Sequence, residues 1–295
     1  MPEGHSVHRL ARQFQDVFGG RRLDVSSPQG RFSAGAQLLT GHAMVESMAH
    51  GKQLFLRFDH ELFLHVHLGL YGAWSFGGDS SFTGASSIGA PRRIGERESG
   101  SAAEDGGYSG PPAPVGAVRV RLVSDHGWAD LRGATTCAAI TAAAAAAVLA
   151  RLGPDPLHNR EGDREEFIRR LRRRKTPVAL LLMDQSVLAG VGNIYRAEVL
   201  FRQAVDPWTP GSSIDAETAG RLWDDTVDTM SDGVRDGRIV TTPSTLWTGG
   251  GVIAPDADAH FVYKRDGLPC RACGTLVGMT EIGARKLYWC PGCQV

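Results

Sequence analysis

The sequence predicts an α+β chain in two main parts. An N-terminal antiparallel β-sandwich led by a helix is followed by a C-terminal helical domain, which closes in a cysteine-paired module. Three observations carry this reading. Apolar residues near the start recur at helical spacing and then give way to alternation. Helical spacing returns in the second half. The chain then ends in two close cysteine pairs, Cys270/Cys273 and Cys290/Cys293. With 295 residues the chain is too long for one typical core and fits roughly two domains.

Taken in order, Val7, Leu10, Ala11, Phe14, Val17 and Phe18 define the first helix, and Gly19-Gly20 stops it. Alternation predicts strands over 53–58 and 61–68, with Asp59-His60 between them as a hairpin turn. Further strands are expected over 70–76 and 117–123. Between these last two, residues 77–116 hold 10 Gly, 7 Ser and 4 Pro and few large apolar residues, so a mobile surface insertion is expected. Residues 138–150 contain nine Ala, with Thr141 as a cap and Gly153-Pro154 as a stop, and predict a boundary helix. Helices follow over 164–174, 178–184, 193–203 and 217–234.

Composition excludes several classes. Lys+Arg and Asp+Glu are both 32, so any nucleic-acid affinity has to come from local patches. The start has no apolar run after a basic segment, and no run of about 18 uncharged apolar residues occurs. A cytoplasmic protein is expected, with neither signal peptide nor membrane span. Five cysteines, four of them in two pairs, suit a reduced compartment and a metal site better than a disulfide scaffold.

The spacing Cys270-x2-Cys273-x16-Cys290-x2-Cys293 fits four thiolates around one structural Zn²⁺, with no coordination position left open for catalysis. Arg285 and Lys286 fall near the tip of the intervening hairpin, either as solvated charge or facing phosphate. Cys137, without a partner, reads as a small core residue. At the other end, removal of Met1 would expose the secondary amine of Pro2. An α-amino group titrates near ~8, and the positive end of the following helix favours its neutral form. Glu3 beside it could move protons, although an ordinary N-terminus is the plainer reading of these residues alone. Gly190 and Gly192 allow tight turns before Asn193 opens a helix. Its first N–H groups, with the Asn193 side chain, could hold a phosphate, or the segment could be simply a turn between helices. Upstream, Arg169, Arg170, Arg172, Arg173, Arg174 and Lys175 make a cationic run, of which Arg174 and Lys175 lead into that turn. Leu70 and Tyr71, in the turn His67–Gly72, are either core or suited to fill the gap left by an extruded nucleotide.

Together these segments resemble the formamidopyrimidine-DNA glycosylase/endonuclease VIII family. MPEGHSVHRLA is similar to its N-terminus. Gly51-Lys52 before a strand resembles its catalytic lysine on a hairpin, and Leu188–Glu198 its helix–two-turns–helix motif. Tyr288–Gln294 resembles the end of its zinc finger. The resemblance covers both parts of the chain in the same order and leaves out only 77–116. Leu70-Tyr71 is closer to the endonuclease VIII branch. The stretch 241–260 lacks the Gly-Gly-Thr pattern of the purine-covering loop of the other branch, and the segment around Arg132 only loosely matches that branch's Arg-bearing strand.

The resemblance implies a bifunctional DNA glycosylase and AP lyase of base-excision repair. It would act on oxidised bases, pyrimidines above all, through a Schiff base on Pro2 and β,δ-elimination. Oxidised purines, or damage binding without catalysis, are the alternatives. Implied catalytic residues are Pro2, Glu3, Lys52 and Arg285. Leu70, Tyr71, Arg132, Lys175 and Asn193 would meet DNA, with Glu198 behind them holding the N-terminus. The partner is damaged DNA, duplex or single-stranded, and the chain is expected to be a monomer. The domains expected are 1–137 (catalytic, with the 77–116 insertion), 138–153 (boundary helix), 154–262 (helix–two-turns–helix) and 263–295 (zinc finger).

Overall fold

The computed structural model describes residues 2–90 and 110–295, and it divides into two compact units, Met1–Arg151 and Leu152–Val295. The first unit opens with α1 (Gly4–Phe18), which buries Val7, Leu10, Ala11, Phe14 and Phe18 along one face. Phe14 meets Trp74 edge-on with ring centroids 4.7 Å apart. After α1 come β1 (Arg22–Ser26), α2 (Ser33–Leu39), β2 (His42–His50), β3 (Gln53–Phe58), β4 (Leu62–His67), β5 (Ala73–Gly78), β6 (Ser87–Gly89), β7 (Val118–Val123), β8 (Gly127–Arg132), β9 (Thr136–Thr141) and α3 (Ala142–Leu149).

The strands are antiparallel in the order β6-β5-β8-β7-β1-β2-β3-β4-β9. β1 is the corner: Arg22 and Leu23 pair with β2, while Asp24, Val25 and Ser26 pair with β7. One strand thus serves two layers, which is how sheets packed face to face turn a corner. Inward residues of both layers, among them Leu54, Leu56, Leu64, Val66, Trp74, Val120 and Leu131, share one core with α1. On the other side of β3 and β4, Phe55 and Phe63 pack with Ala145 of α3.

Three local expectations change. Residues 138–141 continue β9 beside β4, and the Ala-rich helix starts only at Ala142, where Thr141 Oγ1 accepts the N–H of Ala144 at 3.3 Å. The strand expected from residue 70 starts at Ala73, so Leu70 and Tyr71 lie in the β4–β5 turn. The described ends of the 77–116 segment are docked. Ile88 of β6 is buried, Gln13 exchanges two hydrogen bonds with the Ala85 main chain at 2.9 and 2.8 Å, and Arg121 holds the Pro112 carbonyl at 2.8 Å. Composition missed these anchors because their partners are distant in sequence; residues 91–109 of that segment lie outside the described residues.

The second unit contains α4 (Asp163–Arg172), α5 (Val178–Leu181), α6 (Asn193–Arg202), α7 (Ala216–Asp236) and the hairpin β10 (Gly278–Ile282)/β11 (Arg285–Trp289). Asp215 caps α7 by accepting the N–H of Thr218 at 2.7 Å, and Gly237, at φ 74°, ends it. The hairpin turn, Gly283-Ala284, has positive φ at both residues (58° and 56°), the conformation that matches strand twist in two-residue loops. Leu287 of β11 enters the helical core beside Leu188, Val191 and Tyr195, while Tyr288 packs in a small core with Cys270 and Cys290. The cysteine module is thus fastened to the helices by its own hairpin. No helix among the described residues is long and apolar enough to cross a membrane.

Candidate functional site

In the first unit the chemistry-bearing residues gather at two turns and the chain start. Pro2 and Glu3 are both buried, directly before α1. Glu3 is the N-cap, with extended backbone (φ −116°, ψ −177°), and its carbonyl accepts the N–H of Ser6 at 3.0 Å. An amine here meets the positive end of a 15-residue helix, which disfavours its protonation. His5 follows, its pKa pushed down to about 3 by burial and then by the charge of Arg9, so the imidazole is neutral.

Lys52 sits at the tip of the β2–β3 hairpin, where Gly51 takes φ 56° and lets the two strands join through two residues. Its neighbour Gln53 pairs with His67 across the sheet, and its side-chain oxygen accepts a hydrogen bond from His65 Nε2 at 2.8 Å. The pKa of His67 is lowered by burial and by the charge of Lys52. His65 stands opposite Phe55 in the same register, with the two rings stacked.

Beyond His67 the β4–β5 turn presents Leu70 and Tyr71, which are 36% and 79% exposed. Neither is core. The loop between β8 and β9 braces the turn: Thr135 donates its N–H to the His67 carbonyl at 3.0 Å, and a Cβ at Gly133 would lie 2.6 Å from the Tyr71 carbonyl oxygen.

Arg132 is engaged within its own unit. Its guanidinium is 12% exposed and donates to the Val115 carbonyl (2.7 Å), Ser75 Oγ (3.1 Å) and the buried Asp130 (3.1 Å), which also takes a two-pronged ion pair from Arg121. A guanidinium bonded in this way holds the 112–115 segment to the sheet. Cys137 is half-buried, and burial pushes its thiol pKa up to about 12, so it stays protonated.

In the second unit the turn 188–192 leads into α6. Gln185 clamps it by donating to the Val191 carbonyl at 3.0 Å and accepting the N–H of Gly190 at 2.9 Å. Gly190 takes φ 94° and Gly192 stands at the N-cap, bringing no side chain over the first-turn N–H groups. Asn193 is buried, and its amide is used inside the protein. It donates to the Lys286 carbonyl at 2.9 Å and accepts from Arg196. The Asn193 side chain thus links α6 to β11.

Glu198 is fully buried. Its carboxylate accepts the Thr241 hydroxyl and the consecutive N–H groups of Phe261 (2.8 Å), Val262 (2.9 Å) and Tyr263 (2.8 Å). A carboxylate has about four lone-pair directions, and these four donors, all from its own unit, take them up. Of the cationic run, Arg169 and Arg170 pair with Glu166, and Arg172 donates to the Ile214 carbonyl at 3.0 Å. Arg173, Arg174 and Lys175 are exposed, as are Arg285 and Lys286 beside the hairpin tip.

The four cysteine sulfurs lie within 4.8 Å of one another, with Cys270–Cys293 at 3.9 Å and Cys273–Cys290 at 3.4 Å. A tetrahedral zinc with Zn–S of about 2.3 Å needs sulfurs about 3.8 Å apart, so the donor set and spacing fit that ion.

Residues 1–127 match the family described as the Formamidopyrimidine-DNA glycosylase N-terminal domain, and residues 152–244 match the Formamidopyrimidine-DNA glycosylase H2TH domain. The chain is 38% identical over 294 residues to Endonuclease 8 1 of Mycobacterium tuberculosis, covering 100% of both chains. It is 32% identical over 312 residues to the Formamidopyrimidine-DNA glycosylase of Bordetella pertussis, covering 100% of this chain and 99% of the other. The crystal structure of the MutM (Fpg) protein from Thermus thermophilus superposes with a TM-score of 0.71 at 25% identity, covering 99% of this chain and 98% of that one.

Proposed function

Because this chain belongs to the formamidopyrimidine-DNA glycosylase/endonuclease VIII family, DNA glycosylases of base-excision repair, we propose that it excises oxidised pyrimidines from damaged DNA through a Schiff base on Pro2 and then cleaves the strand. The observation that carries this is the buried Pro2-Glu3 pair immediately before α1. Once Met1 is removed, the Pro2 nitrogen attacks C1′ of the damaged nucleotide. The N-glycosidic bond breaks, the base leaves with the electron pair and takes up a proton, and opening of the sugar ring gives a cationic iminium. Glu3 delivers and removes protons at this centre. The iminium draws electrons from C2′ and acidifies its proton, so the 3′ phosphate leaves by β-elimination.

Lys52, at a hairpin tip beside His67, binds phosphate and serves as proton donor in that step. Arg285 binds phosphate and supports the δ-elimination that follows. The first-turn N–H groups of α6 hold a backbone phosphate, with Arg174 and Lys175 adding charge. Glu198 acts as a positioning residue, since its bonds to Phe261, Val262 and Tyr263 fix the segment that enters the cysteine module. Cys270, Cys273, Cys290 and Cys293 would hold one Zn²⁺ per chain, which supplies folding energy to a module too short for a core of its own.

The pyrimidine preference rests on Leu70-Tyr71 and on the 241–260 stretch, both nearer to the endonuclease VIII branch. Full-length similarity to a formamidopyrimidine-DNA glycosylase keeps oxidised purines as the second reading. Borohydride reduction during incubation with DNA carrying thymine glycol, dihydrouracil or 8-oxoguanine tests both. The expected result is covalent trapping that is fastest on the pyrimidine lesions and absent when residues are fused before Pro2. Trapping by the fused form as efficient as by the processed form would move the nucleophile elsewhere.

A further inference from the structure

We propose that His42, Asp59 and His60 form a second metal site, one that takes a borderline divalent cation such as zinc and clamps the end of the sheet away from Lys52. The three side chains come from the start of β2 and from the β3–β4 turn, and their ligand atoms lie within 4.8 Å of one another. His42 Nδ1 is 2.8 Å from Asp59 Oδ1, and His60 Nδ1 is 3.5 Å from the same oxygen.

His60 carries the argument. Its Nε2 lies 2.9 Å from the Leu38 carbonyl oxygen. A carbonyl can only accept, so the ring proton is on Nε2 and the lone pair is on Nδ1. That Nδ1 is buried and makes no hydrogen bond, yet it faces a carboxylate oxygen. Two lone pairs turned toward each other repel unless a cation lies between them. A proton on Nδ1 would be such a cation, but it would form the hydrogen bond to Asp59 that the geometry lacks. A histidine that gives its other N–H to a backbone carbonyl is the usual outer support of a metal ligand.

Asp59 is supported in the same way. Its Oδ2 accepts the N–H of Ala43 at 3.2 Å, and that bond, together with His42, holds its pKa below the ordinary carboxylate value. Two imidazole nitrogens with one carboxylate oxygen favour zinc, nickel or copper over magnesium or calcium. The two rings stack with centroids 3.6 Å apart and planes 17° apart. A metal about 2.1 Å from each nitrogen requires them to splay, a rotation that the 39%-exposed His42 side chain is free to make. His42 would then carry its proton on Nε2. Asp59 follows the last residue of β3 and Lys52 precedes the first, so six strand residues, about 20 Å, separate this cluster from the Lys52 turn. Its role is accordingly structural: one ion would tie the end of α2, the start of β2 and the β3–β4 turn together.

The test uses the full chain with its cysteine module already loaded with zinc. Zn²⁺ is titrated calorimetrically, metal per chain is counted by elemental analysis, and melting is followed with and without added metal. The expected result is a further equivalent of zinc that raises Tm. In both His42→Ala and His60→Ala, binding of that equivalent weakens by roughly tenfold or more while the first is retained. Because His42 is only partly buried, His42→Ala should melt close to the parent when no metal is added, which separates lost binding from lost folding. No further equivalent in the parent, equal uptake by both variants, or magnesium binding as tight as zinc would each overturn the proposal.

Discussion

Asn193, the first residue of α6, gives a side-chain N–H to the main-chain carbonyl of Lys286 on β11, 2.9 Å away. Arg196, fully buried one turn later, donates to the same carbonyl at 3.1 Å and to the Asn193 side-chain oxygen. The start of the helix and the cationic end of the hairpin are therefore tied together. Two elements about 90 residues apart in sequence, both proposed to meet phosphate, are joined at a single backbone oxygen.

Asn193→Ala should loosen that coupling. It removes one of two donors to the Lys286 carbonyl and one acceptor from a buried guanidinium, an interaction worth about 1.5–3 kcal/mol when one partner is charged. Tm should fall, and DNA binding should weaken on every sequence alike, because the lost function is phosphate geometry. Hydrogen exchange at residues 278–289 is the specific measurement. Parent-like exchange there would mean the hairpin is held by packing alone.

The arginines divide into those that build the protein and those left outside it, and two variants separate the classes. Lys175→Ala removes an exposed cation, so the slope of log affinity against log salt should drop by about one unit if it meets a phosphate. Arg132→Ala should leave that slope alone and cost stability instead, about 1.5–3 kcal/mol, by stripping Asp130 and the Val115 carbonyl of a donor. A changed salt slope for Arg132→Ala, with normal melting, would return that residue to the DNA-facing class.

What the sequence made legible follows from how local each signal is. α1, α6 and α7 were readable from apolar spacing, α1 also from its stop at Gly19, and β3 from alternation, because one buried face imposes its period on the chain. The cysteine quartet was readable because metal geometry constrains spacing. β6 and β9 were not: Ser87–Gly89 is short and sits in Gly/Ser-rich sequence, and residues 138–141 belong to an Ala-rich run that suits a helix. Pairing with β5 and β4 overrides those propensities. The site shows the same division. Pro2, Lys52 and Glu198 stood out as candidates by motif, whereas the internal hydrogen bonds of Arg132 and Asn193 depend on Asp130, Val115 and Lys286, partners that no local pattern announces.

Acid stability gives a test of the chain start. His5 is buried neutral, its pKa pushed down to about 3 from 6.5 by burial above all. Below pH 6.5 the unfolded chain takes up a proton there that the folded protein does not, so stability rises with pH across this window and is lost as pH falls toward 3. The contribution is up to about 1.4 kcal/mol per pH unit. His65, pushed down to about 4 for the same main reason, adds a second increment of the same sign. Urea unfolding of His5→Gln at several pH values between about 4 and 7 should show a shallower acid limb that keeps the His65 part. An unchanged limb would mean that His5 is not the group that resists charging.

The β4–β5 turn carries the prediction closest to function. Leu70 and Tyr71 are exposed, but they are not loosely held. Gly69 takes φ 67°, and a Cβ there would collide with Thr135, while Gly133 packs against the Tyr71 carbonyl. Two large side chains held outward on a braced turn suit insertion into a base stack, where they offset part of the few kcal/mol lost when a nucleotide is extruded. Duplex DNA has that hole to fill, and a single strand has not. Leu70→Ala should therefore slow single-turnover excision of thymine glycol from duplex DNA more than from single strands. Cleavage of a pre-formed abasic site should suffer less, because no base remains to be held out of the stack. Melting should stay near the parent value, since Leu70 contributes little to the core. Rates are to be measured on both strand forms, with 8-oxoguanine opposite cytosine as the competing lesion. An equal loss on single and double strands would make Leu70 a contact to the lesion strand itself, and parent-like rates on both would take the turn out of the reaction.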